Sequence, residues 1–363
     1  MPVVRGVAAI MFLVLGACTG SATQPSDDAG TATTSPSGAA VEPTERGSVE
    51  AVTFDSADLT LEGDLRLPDS EGPHPGIVLV HGSGPNGRDG VVPGQLAMAF
   101  PQPVGVLADL AAALRDAGYA ALIYDKRSCG SFNGCADNGY PAPADDLTIE
   151  TFVEDAQAAV AYLRSRPEIR PEAVVVAGHS QGASFVPGML LDDPRLAAGV
   201  LLAAPYDPVD ALLAEQADTV GQIVGALDDP PPGAVGSITR LRQLARSVSD
   251  LRSGAVDDTT QFAGATAGFW RSWLRLSDGV PQLAVQAHQP LLVLNGKVDT
   301  NVGPEQTTRW RRTLTDVSDR VVALDCVSHA LNCLHTDDPA TVDPAEIDTS
   351  VDPRVPATIA DFL

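Results

Sequence analysis

Lysine is almost missing from this chain: among 363 residues only Lys126 and Lys297 carry an ammonium, and arginine supplies the rest of the positive side-chain charge. With 23 basic against 47 acidic residues the formal net charge is −24, and no cluster of Lys and Arg interrupts it. Such a surface repels phosphate polymers and anionic headgroups, which argues against nucleic acid as a partner. Dinucleotide and phosphate-loop glycine patterns are also lacking, so no cofactor is implied. The apolar N-terminal run, Val7 to Leu15, is too short to span a bilayer as a helix. What the chain does have is a hydrophobic content of 44%, enough for a large core. Its length fits one large α/β domain with an insertion, or two smaller domains.

The first residues, "MPVVRGVAAIMFLVLGACTG", place Arg5 before that apolar run and small residues after it, the pattern of a signal peptide over 1–17. Leu15, Gly16, Ala17 and Cys18 resemble the bacterial lipobox, which implies export and a lipidated Cys18 anchoring the protein on the outer side of the membrane. The competing reading is a short apolar N-terminus with a chance cysteine. Residues 19–47 are Ser, Thr, Ala, Gly, Pro and acids with few large apolar side chains, and cannot offset the entropy of ordering. With Cys18 they form a tether over 18–47, reaching roughly 30 Å on random-coil scaling. Four cysteines remain, which in an exported protein predicts two disulfides. Of three possible pairings, Cys129 with Cys135 and Cys326 with Cys333 close the shortest loops.

From residue 48 the pattern alternates. "VEAVTFDSADLTLEGDLRLP" reads as an antiparallel hairpin over about 49–67. "GIVLVHGSG", "YAALIYD", "EAVVVAGHS", "LAAGVLLAAP", "QPLLVLNGKVD" and "RVVALD" are apolar runs of the kind buried on both faces of a parallel sheet. Helical stretches separate most of them. "TIETFVEDAQAAVAYLRSR" has apolar residues at three- and four-residue spacing, with acids early and arginines late as the helix dipole favours. The sequence predicts a mostly parallel sheet with helices on both faces, its core divided into 48–205 and 290–363. Between them, 206–289 breaks the rhythm with three helical stretches and is predicted to be an inserted helical cap.

Residues 178–182 read Gly-His-Ser-Gln-Gly, a G-x-S-x-G directly after a buried strand and before a helix. That context predicts a nucleophile on a tight strand-to-helix turn, Ser180. At this point the chain resembles the α/β-hydrolase superfamily over essentially all of 48–363. The resemblance implies a serine hydrolase whose nucleophile, acid and base follow in chain order: Ser180, then Asp299 in "NGKVDTNV", then His329 in "DCVSHALNC". Imidazole, with a reference pKa of about 6.5, suits the base, and the aspartate would fix its tautomer. Asp207 is the other acid to test. Asp325 lies near His329 but ends a strand.

The same resemblance assigns the oxyanion donors to the backbone N–H groups of Ser83, in "HGSGPNG", and Gln181, with His81 shaping the loop and His179 packed. "YDKRSCGSF" partly resembles the Tyr-Asp-Lys-Arg-Gly-x-Gly stretch of bacterial esterases and serine-aminopeptidase-like hydrolases, Ser128 and Cys129 replacing Gly-x. Asp125, Lys126 and Arg127 are expected to form a buried or half-buried charge network bracing loops near the site, with substrate contact as the alternative. Trp270 and Trp273 fit either pocket-facing acyl contacts or core. Cys326, His329, Cys333 and His335 are metal-ligand types, but their spacing matches no common zinc pattern and an oxidising compartment disfavours thiolates, so no metal is expected. The function so predicted is hydrolysis of a small-molecule carboxylic ester through an acyl-enzyme, with a peptidase and a non-catalytic lipoprotein as alternatives.

Overall fold

The computed structural model describes residues 48–91, 104–129, 147–227, 230, 232–262, 264–343 and 345–363. The predicted signal peptide, Cys18, the tether and Cys135 lie outside the described residues. The hairpin predicted at the start of the core is β1 (Val49–Ser56) and β2 (Leu59–Arg66), paired antiparallel in register Val49 with Arg66. Its inward residues alternate as the period of a strand requires: Val52, Phe54, Leu61 and Leu65 are buried.

The apolar runs form the rest of an eight-stranded sheet: β3 (His74–Val80), β4 (Ala120–Tyr124), β5 (Ile169–His179), β6 (Gly199–Leu202), β7 (Leu291–Gly296) and β8 (Arg320–Leu324). The order is β1-β2-β4-β3-β5-β6-β7-β8, parallel from β4 through β8. Both faces are covered, which is why these strands read as continuous apolar runs. Val78 and Val80 of β3 join the cluster under α2 (Ile149–Ser165), α3 (Val186–Asp192) and α7 (Pro304–Thr313). Their neighbours Ile77 and Leu79 face the opposite layer, with Leu110 and Leu114 of α1 (Val106–Asp116) and Val355 and Ile359 of α8 (Arg354–Phe362).

Between β6 and β7 stand α4 (Val209–Gly225), α5 (Ala234–Asp250) and α6 (Ala267–Gln286). Their apolar stripes close on one another through Leu213, Ala217, Leu241, Val248 and Trp270. The other end of this layer is tied to the sheet's loops. Val220, Ile223 and Ile238 pack on Val298 and Leu334, beyond β7 and β8, and Gln216 donates to the carbonyl of Asn301 at 2.9 Å.

One helix departs from the sequence pattern. "QGASFVPGMLL" predicts a single helix, whereas residues Ser180–Ser184 form a 3-10 turn and the α-helix begins only at Val186. Pro187, in the first turn, has no N–H to give and a ring that suits a helix start, so regular α geometry begins there.

Candidate active site

Strand β5 ends at His179, and the chain reverses at Ser180 with φ +55°, a left-handed conformation that a side-chain-bearing residue adopts only when its surroundings impose it. The flanking glycines show what imposes it. A Cβ on Gly178 would stand 2.2 Å from the carbonyl oxygen of Gly182, and one on Gly182 would stand 2.5 Å from that of His81. Only glycine allows this packing of β5, the turn and the loop after β3, so the spacing in the motif is a steric requirement.

Two loops at the same sheet edge deliver the partners of Ser180. His329 Nε2 lies 3.0 Å from Ser180 Oγ, and His329 Nδ1 lies 2.9 Å from Asp299 Oδ2. A carboxylate can only accept, so Nδ1 carries the proton and Nε2 is left to accept from the serine hydroxyl. The second oxygen of Asp299 accepts the backbone N–H groups of Asn301 and Val302, both at 2.8 Å. The aspartate is thus buried with both oxygens satisfied, and its orientation is set by backbone. This arrangement can take a proton from Ser180 as the hydroxyl attacks, and hold the imidazolium that results.

The loop carrying His329 is closed by the Cys326–Cys333 disulfide predicted from the sequence. Inside it Ser328 N–H donates to the carbonyl of Asn332 at 2.9 Å, and the Asn332 amide donates to the carbonyl of Asp348 at 2.6 Å. Cys129 is buried and also disulfide-bonded, while Cys135, its predicted partner, lies outside the described residues. Cys333, His335 and Asp348 come close enough to share an ion, as do Cys326, Cys333 and Asp352. The sulfurs in both groups are joined to each other, and a disulfide sulfur is no thiolate ligand.

Two further histidines adjoin Ser180. His179 donates Nε2–H to the carbonyl of His329 at 2.8 Å, and burial, with the nearby His329 charge, pushes its pKa down to about 4. His81 sits edge-on to Tyr124, and burial, followed by the charge of Lys126, pushes it down to about 3. Both are held neutral by burial, His179 as the packed group expected from the sequence and His81 at the start of the loop it was expected to shape.

The loop after β3 contains Ser83 and is held by charge. Arg88 meets Asp64 at 2.8 Å, Glu62 at 3.1 Å and Asp125 at 2.6 Å, and its own N–H donates to Asp125 at 2.7 Å. Asn86 donates to the carbonyls of Gly82 and Ser83 at 3.2 and 2.9 Å. Arg127 makes a bidentate pair with Asp155 at 2.7 and 2.5 Å, and Lys126 turns inward beneath the loop. Sequence reasoning missed Asn86, which braces its own loop, and Arg88 and Asp155, whose partners come from distant parts of the chain. The signal available was an Asn-Gly-Arg directly after the glycine-rich loop.

Other expectations resolve differently. Asp207 is engaged by Gln306 at 2.9 Å and by Arg309, and Asp325 pairs with Lys297 at 2.5 Å, so neither is the acid at His329. Trp270 is buried in the core of the helical insertion and stacks on the half-buried Trp273 at 5.4 Å, which settles the first of them as core.

Comparison with known proteins agrees with this architecture. A family model described as serine aminopeptidase, S33, matches residues 101–338. The chain is 25% identical to Esterase EstD of Thermotoga maritima over 78% of its own length and 61% of that protein's. It is 33% identical to the quorum-quenching protein AidA of Acinetobacter baumannii over 52% of its length and 53% of the other's. It therefore spans less than two thirds of either relative. Among solved structures, Est1E of Butyrivibrio proteoclasticus with ferulic acid bound superposes at a TM-score of 0.53, 16% identity, covering 86% of this chain and 97% of that one. An α/β hydrolase of Penicillium, GrgF, superposes at 0.50, 17% identity, over 78% and 91%; both likenesses speak for the fold alone. Since the matched region runs from before the elbow serine to beyond the loop of His329, the chain belongs to the serine aminopeptidase S33 family and has the α/β-hydrolase fold.

Proposed function

We propose that the protein is a serine hydrolase of the carboxylesterase type, acting on a small-molecule carboxylic ester through an acyl-enzyme. The observation that carries this reading is the unbroken hydrogen-bonded chain from Ser180 through His329 to Asp299. Ser180 Oγ attacks the ester carbonyl carbon as His329 Nε2 takes its proton. The carbonyl oxygen becomes an oxyanion facing the Ser83 and Gln181 N–H groups, and on collapse His329 returns the proton to the departing alkoxide. Water, deprotonated by the same nitrogen, then releases the acid and restores Ser180. Asp299 keeps Nδ1 protonated throughout.

Ester rather than amide is favoured by the esterase among the curated relatives, while the family's own name keeps the peptidase as the second reading. Ser180→Ala should cut turnover of short-chain aryl esters by at least roughly a thousandfold and abolish labelling by a fluorophosphonate. Labelling of the variant at the wild-type level would overturn the assignment. Wild-type protein should prefer acyl esters to aminoacyl anilides, and the opposite ranking would favour the peptidase.

We also propose export and lipid anchoring at Cys18, supported by the signal-like N-terminus and the lipobox pattern. Cys18→Ala should move the protein from the membrane fraction to the soluble one, and unchanged fractionation would remove the anchor.

A further inference from the structure

Lys126 is one of the chain's two lysines, and its side chain is buried at 4% exposure. An ammonium taken out of water needs strong compensation, and the carboxylate that acts on it, Asp155, is already committed to Arg127. The contacts of Nζ are specific. It donates to the carbonyl of Gly82 at 2.7 Å and to Gln181 Oε1 at 2.9 Å, and it lies 4.4 Å from the centre of the Phe152 ring. Two oxygens and an aromatic face thus receive the ammonium.

One oxygen belongs to the peptide that carries the Ser83 N–H and the other to Gln181, the two groups that would stabilise an oxyanion. The Gly82 carbonyl and the Ser83 N–H are two ends of one planar trans peptide and point in opposite directions, so fixing the oxygen on Lys126 fixes the heading of the N–H. That peptide lies against the nucleophile, since a Cβ on Gly82 would meet Ser180 Cβ at 3.2 Å. The second oxygen is the side chain of Gln181, whose backbone supplies the other donor. A cation on the Gly82 oxygen also polarises the peptide and strengthens its N–H as a donor.

We propose that Lys126 is a positioning residue that clamps both halves of the oxyanion hole, the Gly82–Ser83 peptide and Gln181, and so acts on the transition state without touching substrate. The inference rests on the reading of Ser180 as nucleophile. It separates charge from loop shape, because Asn86 makes a neutral bond to the same Gly82 carbonyl and to that of Ser83. Loss of the lysine therefore leaves the path of the loop braced while removing the cation.

A pH signature accompanies the geometry. Burial pushes the Lys126 ammonium down to about 7. The groups facing it are His81, neutral through burial, Tyr124, whose hydroxyl burial pushes up, and the Asp155–Arg127 pair. As pH rises through neutrality the clamp loses its charge, so the wild-type enzyme gains a descending alkaline limb in kcat.

The test is Lys126→Met, assayed on an aryl ester and with a trifluoromethyl ketone whose hemiketal oxygen occupies the oxyanion hole. Expected is a fall in kcat of about 30-fold with KM nearly unchanged, below the 100- to 1,000-fold cost of deleting an oxyanion donor outright. Affinity for the ketone should fall by the same factor as kcat/KM, and the alkaline limb should vanish. Should the variant fail to fold, Gln181→Met keeps the lysine, removes one of its two oxygen acceptors, and should show a smaller fall with the same parallel between ketone affinity and kcat/KM. Unchanged kcat and ketone affinity in a folded variant, or a fall carried by KM alone, overturns the clamp. Because the fluorophosphonate result for Ser180→Ala is read independently, failure of the clamp leaves the nucleophile standing, and failure of the nucleophile is recognised on its own.

Discussion

Two loops at one edge of the sheet serve Ser180, and they are held by opposite means. The loop of His329 is stapled covalently by Cys326–Cys333 and by hydrogen bonds within and around the ring. The loop of Ser83 contains no cysteine and is held by Arg88 against three carboxylates, by Asn86, and by the buried Lys126. A staple acts chiefly by restricting the unfolded chain and is indifferent to pH and salt. A half-buried ion network of this kind acts through charge complementarity in the folded state, and deleting Arg88 leaves the buried Asp125 desolvated and without its cation. His329, the proposed base, is positioned by covalent geometry. The Ser83 N–H, proposed to answer a developing negative charge, is positioned by charges, which on the same proposal also act on the reaction itself.

The contrast can be broken from either side. Arg88→Met should be the most costly, because Asp125, with its side chain only 5% exposed, loses its cation. We expect a loss of about 3 kcal/mol in denaturant unfolding together with a lowered kcat, and a variant as stable as wild type would show that the ions are not what holds this loop. Next comes the double substitution Cys326→Ser and Cys333→Ser, which leaves Cys129 untouched. Its expected cost is about 2.5 kcal/mol, with a fall in kcat that does not vary with salt. A salt-dependent loss there would erase the distinction between the two loops. Smallest is Asp325→Asn, on the exposed pair with Lys297, where the two side chains are 65% and 53% exposed. Stability and kcat should both stay at the wild-type level; a measurable loss in either would mean that charge matters in the His329 loop as well.

Much of the site was legible because its signals are local. Gly178 is required by the backbone of Gly182 and Ala183 within the turn itself, and Gly182 stands two residues from Ser180 although the carbonyl that requires it is that of His81, so the elbow appears as a short pattern. Asp299 and His329 follow strands whose apolar runs are unmistakable. The bracing of the Ser83 loop was less legible. Arg88 reaches carboxylates from β2 and from beyond β4, and Asp155 meets Arg127 from the middle of α2. A single chain has many acids and arginines, and nothing in their spacing says which will meet.

The same reasoning separates Trp270 from the pocket. Two tryptophans three apart share one helix face, but which neighbour covers that face depends on how α4, α5 and α6 close together. By itself the sequence determined the alternation of strands and helices, the elbow, the chain order of Ser180, Asp299 and His329 and the short disulfide ring, because each follows from local periodicity, a short motif or the shortest loop. Tertiary structure alone decided that the two acceptors of the buried Lys126 would be the carbonyl behind Ser83 and the side chain of Gln181. Those groups lie 44 and 55 residues away along the chain, and only the packing of β3, β4 and β5 side by side brings them within one hydrogen bond of the same nitrogen.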